Sequence, residues 1–168
     1  AAAAVGRALG ISPQAIAEAL GASVAEAGRQ ELLHGQDGCL IINDAYNASP
    51  DSMRASLAVL ASMDVSGRRY AVLGDMGELG EHSDACHIGV GEAVAAHGID
   101  RLLCIGQSSR LIAQGARASG MDDAHITCVD TIGEALEQLE GTLAPDDAVL
   151  VKASNFMGLT RLAEGLAS

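Results

Sequence analysis

The sequence predicts an α/β domain: a Rossmann-like, mostly parallel sheet with helices on both faces, plus a short helical segment at its N-terminal end. Three observations carry this. Five apolar runs of strand length recur at 39–43, 70–73, 102–105, 126–129 and 148–151. Segments with helical apolar spacing follow them in turn, at 51–63, 84–97, 109–119, 132–139 and 156–166. Short, mainly apolar runs alternating with amphipathic helices mark parallel strands covered on both faces and joined by right-handed crossovers.

Each element has its own local signal. Residues 1–9 are Ala-rich and helix-favouring, and Gly10 ends that helix. Ser12-Pro13 supplies the N-cap and first turn of a second short helix through Leu20. Residues 21–38 mix Gly, Glu, His and Gln without periodicity, and read as a linker carrying an edge strand, with a boundary near Arg29. Ser49-Pro50 is an N-cap and first helical residue for 51–63, and Thr131-Ile132-Gly133-Glu134 matches a capping box. The expected division is therefore 1–27, a remnant of a preceding domain with its linker, and 28–168, the α/β domain. The start lacks an initiator Met, a basic n-region and a cleavage site, so the chain reads as an excerpt of a longer protein.

Composition narrows the partners. A formal charge of −12 over 168 residues argues against duplex nucleic acid or an anionic membrane. One Phe and two Tyr leave no stacking surface for single strands. No apolar stretch reaches the ~20 residues of a membrane span. Cys39, Cys86, Cys104 and Cys128 form no C-x-x-C pair, so neither zinc nor a disulfide framework is expected, and reduced thiols fit a cytoplasmic protein. His82 and His87 are spaced wrongly for a helical metal pair, and His34, His97 and His125 stand alone.

In an open parallel sheet the ligand face lies beyond the strand C-termini. Here those ends deliver Asp44, Gly74-Asp75, Gly106, Asp130 and Lys152. Gly106 and Asp130 read as turn formers. Asp44 can accept hydrogen bonds from a vicinal diol such as a ribose, or satisfy turn N–H groups. Asn47 offers a donor and an acceptor, or closes an Asx turn. Ser49 reads as a helix cap, since no base is placed to activate it. Asp75 and Glu78, in the loop Gly74-Asp75-Met76-Gly77-Glu78-Leu79-Gly80, can bind an ammonium group or position a cation, or are solvated acids. His87 is expected to pack at a helix start or to hydrogen-bond that glycine loop. Lys152, the only lysine, offers a point charge to a phosphate or carboxylate. Neither G-x-G-x-x-G nor G-x-x-x-x-G-K-[ST] occurs, which weakens the alternative of a nicotinamide-dependent dehydrogenase. A non-catalytic α/β binding module is the other alternative.

Asp44-Ala45-Tyr46-Asn47-Ala48-Ser49-Pro50-Asp51-Ser52-Met53 resembles the D-[SA]-Y-N-A-N-P-D-S-M signature of the Mur ligases. Val72-Leu73-Gly74-Asp75-Met76-Gly77-Glu78-Leu79-Gly80 is similar to their V-L-G-D-M-G-E-L-G segment, Gly28-Arg29 to the linker G-R pair, and Val149-Leu150-Val151-Lys152 to the late V-L-V-K strand. Three positions depart from the pattern: Ser49 replaces Asn, and Lys152-Ala153-Ser154-Asn155 stands where the family has K-G-S-R, differing at Ala153 and Asn155. The branch resembled adds D-alanyl-D-alanine to UDP-N-acetylmuramoyl-tripeptide in peptidoglycan synthesis, through an acyl phosphate made from ATP. The resemblance implies that Asp44 holds the ATP ribose, that Asn47 and Arg29 contact the nucleotide, and that Asp75, Glu78 and Lys152 face the dipeptide or developing charge. It implies no metal ligand in this chain, with Mg2+ and the phosphate-binding loop in a central domain, and an isolated domain that does not ligate.

Overall fold

The computed structural model describes residues 2–23, 26–36 and 38–168. Helices α1 (Ala2–Ala8) and α2 (Pro13–Gly21) form an N-terminal hairpin. The φ of +76° at Gly10 ends the first, and the Ser12 side chain caps the second by accepting from the Ala15 N–H. Ala1 of the expected first helix, and Val24, Ala25 and Asp37 of the expected linker, lie outside the described residues.

Six strands then make one sheet: β1 (Glu31–His34), β2 (Leu40–Asn43), β3 (Arg69–Gly74), β4 (Arg101–Ile105), β5 (Ile126–Val129) and β6 (Ala148–Lys152). Their order is β1-β2-β6-β3-β4-β5. The expected edge strand is β1, antiparallel to β2, and every other pairing is parallel. Helices α3 (Pro50–Ser62), α4 (Ser83–Ala96) and α5 (Arg110–Ala118) cover one face through Met53, Leu57, Val90, Val94 and Ile112. Helices α6 (Ile132–Leu139) and α7 (Thr160–Ala167) cover the other through Ala135, Leu139, Leu162 and Leu166. This is the two-faced burial that apolar, non-alternating strands require.

The caps read from sequence are formed. Ser49 caps α3 in a reciprocal box with Ser52, and Thr131 caps α6 in a box with Glu134. One helix is shorter than expected. The stretch 156–166 is a 3-10 turn (Asn155–Met157), a break at Gly158, and then α7. Gly158 adopts φ +66°, which a right-handed helix does not pass through, and the break leaves Phe156 71% exposed.

The order places the site. β2 leads into α3 on one face, whereas β6 leads into α7 on the other. The crevice between the β2 and β6 C-termini is thus a topological switch point, where an open sheet has room for a ligand.

Candidate functional site

Asp44 follows β2 directly and Lys152 ends β6, so the switch point brings together two residues 108 positions apart. Side chains alternate along β6: Leu150 faces α3–α5 and Val149 and Val151 face α6–α7, which puts Lys152 on the α3 side. Its Nζ lies 2.7 Å from Asp44 Oδ2, and also donates to the carbonyls of Asn47 at 2.9 Å and Asp44 at 3.3 Å. The pair is deeply placed, with side chains 3% (Lys152) and 13% (Asp44) exposed. Ser56, two turns after the Ser49 cap of α3, donates from Oγ to the same Asp44 Oδ2 at 2.6 Å. The Gln30 N–H donates to Asp44 Oδ1 at 3.1 Å, and Gln30 is held at φ +51° to do so.

This network decides what each group has left to offer. An ammonium has three donors, and all three of Lys152 have protein acceptors. The lysine therefore positions Asp44 and the Asn47 turn instead of presenting a free point charge. A carboxylate has about four acceptor positions. Two donors fill Oδ2, and one lone pair on Oδ1 remains for an incoming hydroxyl, fewer than the two positions a diol would engage.

The remaining groups surround a cleft of about 450 Å³ lined by Arg29, Asp44, Tyr46, Asn47, Ser52 and Ser56, among others. The Arg29 guanidinium lies 3.9 Å over the Tyr46 ring while pairing with Glu26 at 3.0 Å. The Asn47 side-chain oxygen accepts from the Ala48 N–H, so its amide nitrogen is the part free for a ligand. Gly28 anchors this rim: its carbonyl accepts from the Tyr46 N–H, and its φ of +74° leaves a Cβ only 3.3 Å from that nitrogen. Glu31 ties the rim to β2 by accepting from the Gly28 N–H and from the fully buried Asn43 side chain.

A second cleft of about 520 Å³ adjoins the first across Tyr46–Ser49 and is lined also by Gly77, Glu78, Ser154, Asn155 and Phe156. Glu78 is exposed on its rim at φ +62°, a backbone state uncommon for a side-chain-bearing residue. Asp75 is elsewhere. Its Oδ1 accepts from the Ser109 N–H at 2.7 Å, and its carboxylate packs against Gly106, where a Cβ would sit 2.8 Å from Oδ1. That carboxylate steadies the entry to α5 and lines neither cleft. His87, fully buried, accepts the Met76 N–H on Nε2 at 3.0 Å, so its proton sits on Nδ1 and is donated to the Ser83 carbonyl at 2.8 Å. The expected contact with the glycine loop is present. Ser154 joins three loops: its Oγ accepts from the Gly77 N–H and donates to the Ala48 carbonyl, and its N–H donates to the Asp75 carbonyl.

Sequence reading missed Gln30, Ser56 and Ser154. The seven-residue spacing from Ser49 to Ser56 was the available signal, because it returns to one helix face after two turns. Among the described residues no group of three or more His, Cys, Asp or Glu converges as a metal site, and no helix is long and apolar enough to cross a membrane.

Fold and clefts together define an α/β domain that opens at the switch point of a mostly parallel sheet. Residues 28–155 match the Mur ligase, glutamate ligase domain, and the chain belongs to that family. The UDP-N-acetylmuramoyl-tripeptide–D-alanyl-D-alanine ligase of Bacillus subtilis (strain 168) is 34% identical over 99% of this chain, and that of Escherichia coli (strain K12) 42% identical over 73% of it. The chain spans 36% and 26% of the lengths of these two relatives. Among solved structures, MurF ligase from Thermotoga maritima in complex with ADP superposes with a TM-score of 0.79 at 26% identity, covering 98% of this chain and 35% of that one. A MurF structure from Acinetobacter baumannii gives 0.79 at 31% identity, covering 95% and 35%.

Proposed function

We propose that this chain is the C-terminal α/β domain of an ATP-dependent ligase that joins D-alanyl-D-alanine to UDP-N-acetylmuramoyl-tripeptide in the bacterial cytoplasm. On this reading residues 28–168 form the domain. Residues 1–27 end a preceding domain, whose remainder covers the exposed Val5, Leu9, Ile11 and Leu20. The observation that carries the proposal is the network at the first cleft. Lys152, Ser56 and the Gln30 N–H fix Asp44 with one acceptor position aimed at an incoming hydroxyl, as one ribose hydroxyl of a nucleotide requires.

The donor set fits the nucleoside end of ATP better than its phosphates. Asp44 accepts, the Asn47 amide donates, and the Arg29–Tyr46 stack offers a flat cationic shelf for a base. A Mg2+ accompanying ATP would take its ligands from phosphate oxygens and from outside the described residues. ATP supplies the phosphoryl group that activates the tripeptide carboxylate. This chain's part is to hold the sugar, close over the bound substrates and exclude water, while the second cleft, with Glu78 on its rim, receives the dipeptide.

Titrating the isolated chain with ADP by amide NMR tests the site. Shifts confined to residues 28–30 and 44–56 are expected, saturating with a Kd on the order of 1 mM. No saturable shift there by about 10 mM, or shifts elsewhere, would overturn it. In the complete ligase, Asp44→Ala is expected to raise KM for ATP at least ~10-fold, through loss of a charge-assisted hydrogen bond of about 1.5–3 kcal/mol.

A further inference from the structure

At the far end of the sheet from the clefts, Cys104 on β4 and Cys128 on β5 are register partners. Adjacent strands lie about 4.8 Å apart, inside the Cα separation of roughly 4.4–6.8 Å that a disulfide spans. Both side chains are on the α5 face, Cys104 within the core and Cys128 packed against it. Their exposure differs: Cys104 is fully buried, whereas Cys128 is half-buried on the outer strand of the sheet. Two guanidiniums attend Cys128, from Arg110 and Arg117, which stand two turns apart on one face of α5. Their carboxylate partners, Asp130 at 2.9 Å and Asp123 at 2.5 Å, belong to loops flanking β5 and hold the guanidiniums there.

We propose that Cys128 and Cys104 form a peroxide-responsive dithiol, Cys128 being the attacking thiol and Cys104 the resolving one. The Cys128 thiolate attacks a peroxide oxygen and the O–O bond breaks. Hydroxide leaves and takes a proton to become water, and Cys128 becomes a sulfenic acid. The Cys104 sulfur then attacks the Cys128 sulfur, an S–S bond forms, and the sulfenic oxygen leaves as a second water. Overall two thiols lose two electrons and two protons, and one hydrogen peroxide is reduced to two waters.

The electrostatics assign the roles. A hydrogen bond from Cys104, together with Arg117 and Arg110, brings Cys128 down to about 6 against the opposing effect of partial burial. The same contact and full burial push Cys104 well above the ordinary thiol range. Attack therefore begins at the half-exposed sulfur, and the buried one stays a protonated reserve until the sulfenic acid forms beside it.

Mild hydrogen peroxide on the intact chain, followed by mass spectrometry, tests this. A loss of about 2 Da is expected, with the peptides bearing Cys104 and Cys128 joined. Cys128→Ser should abolish the bridge, and Cys104→Ser, which keeps a hydrogen-bond donor beside Cys128 but cannot resolve it, should leave a sulfenic acid on Cys128 that dimedone traps. Independently of any variant, alkylation of Cys128 at pH 6 should run roughly 20-fold faster than that of an ordinary thiol, the thiolate gain outweighing its lower nucleophilicity. A bridge involving Cys39 or Cys86, no bridge at all, or Cys128 alkylation that follows an ordinary thiol would overturn the proposal.

Discussion

Replacing Lys152 by Met removes the ammonium and keeps an unbranched stem of similar length. The carboxylate left behind has one fewer partner on Oδ2, and the Asn47 and Asp44 carbonyls lose their donor. Removing one partner of a buried pair costs about 3–5 kcal/mol. Asp44 keeps 13% exposure and its bonds from Ser56 and Gln30, which places the loss at the lower end, about 3 kcal/mol. For a domain of this size each kcal/mol lowers Tm by about 2–4 °C, so a fall of about 6–12 °C is expected. Urea denaturation should show a lower midpoint with an unchanged slope. The cycle with Asp44→Leu supplies the decisive number: the double variant should be more stable than the summed single losses imply, by at least about 2 kcal/mol. Additive losses, or a Lys152→Met change under about 1 kcal/mol, would show that the pair does not organise the site.

Three further outcomes follow from other contacts. In Gly91→Ala a Cβ would fall 1.9 Å from the Ile112 carbonyl oxygen, forcing α4 and α5 apart, and calorimetry should show a loss of about 3 kcal/mol. His87→Leu leaves the buried Met76 N–H without its acceptor, at about 1–3 kcal/mol. Hydrogen exchange should quicken at Met76 in that variant, with the β4 and β5 amides unaffected except through global stability. Ser154→Ala, which frees the Gly77 N–H, should cost about 1 kcal/mol. It should raise exchange at Gly77, while leaving the Lys152–Asp44 bond in place in a crystal structure of the variant.

What could be read from the chain, and what could not, divides along the range of the signals. Strands, helices and caps have local causes, and so the runs ending at Asn43 and Val151, the Ser49 cap and the Thr131 box were legible. Asp44 was legible for the same reason, as a carboxylate at a strand exit before a capped helix. The link from Lys152 to Asp44 was not, because it exists only once β6 inserts between β2 and β3, and strand order leaves no local mark. Asp75 was misjudged as a free acid because its partner, the Ser109 N–H, lies 34 residues away. The Cys104–Cys128 pairing was hidden likewise, as two small hydrophobes until register set them side by side. The helix at 156–166 was overextended because the break at Gly158 depends on a backbone angle that the apolar spacing does not reveal.

Lys152 has one more consequence. It is the chain's sole ε-amine, and it is capped by three oxygens beneath the surface. An acylating reagent can reach that nitrogen only after β6 and the β2–α3 turn part company. The rate of acylation at Lys152, followed by peptide mass so that the α-amine is counted apart, therefore clocks the opening of this crevice without a label having to be engineered, and a nucleotide that holds the crevice shut should slow the clock.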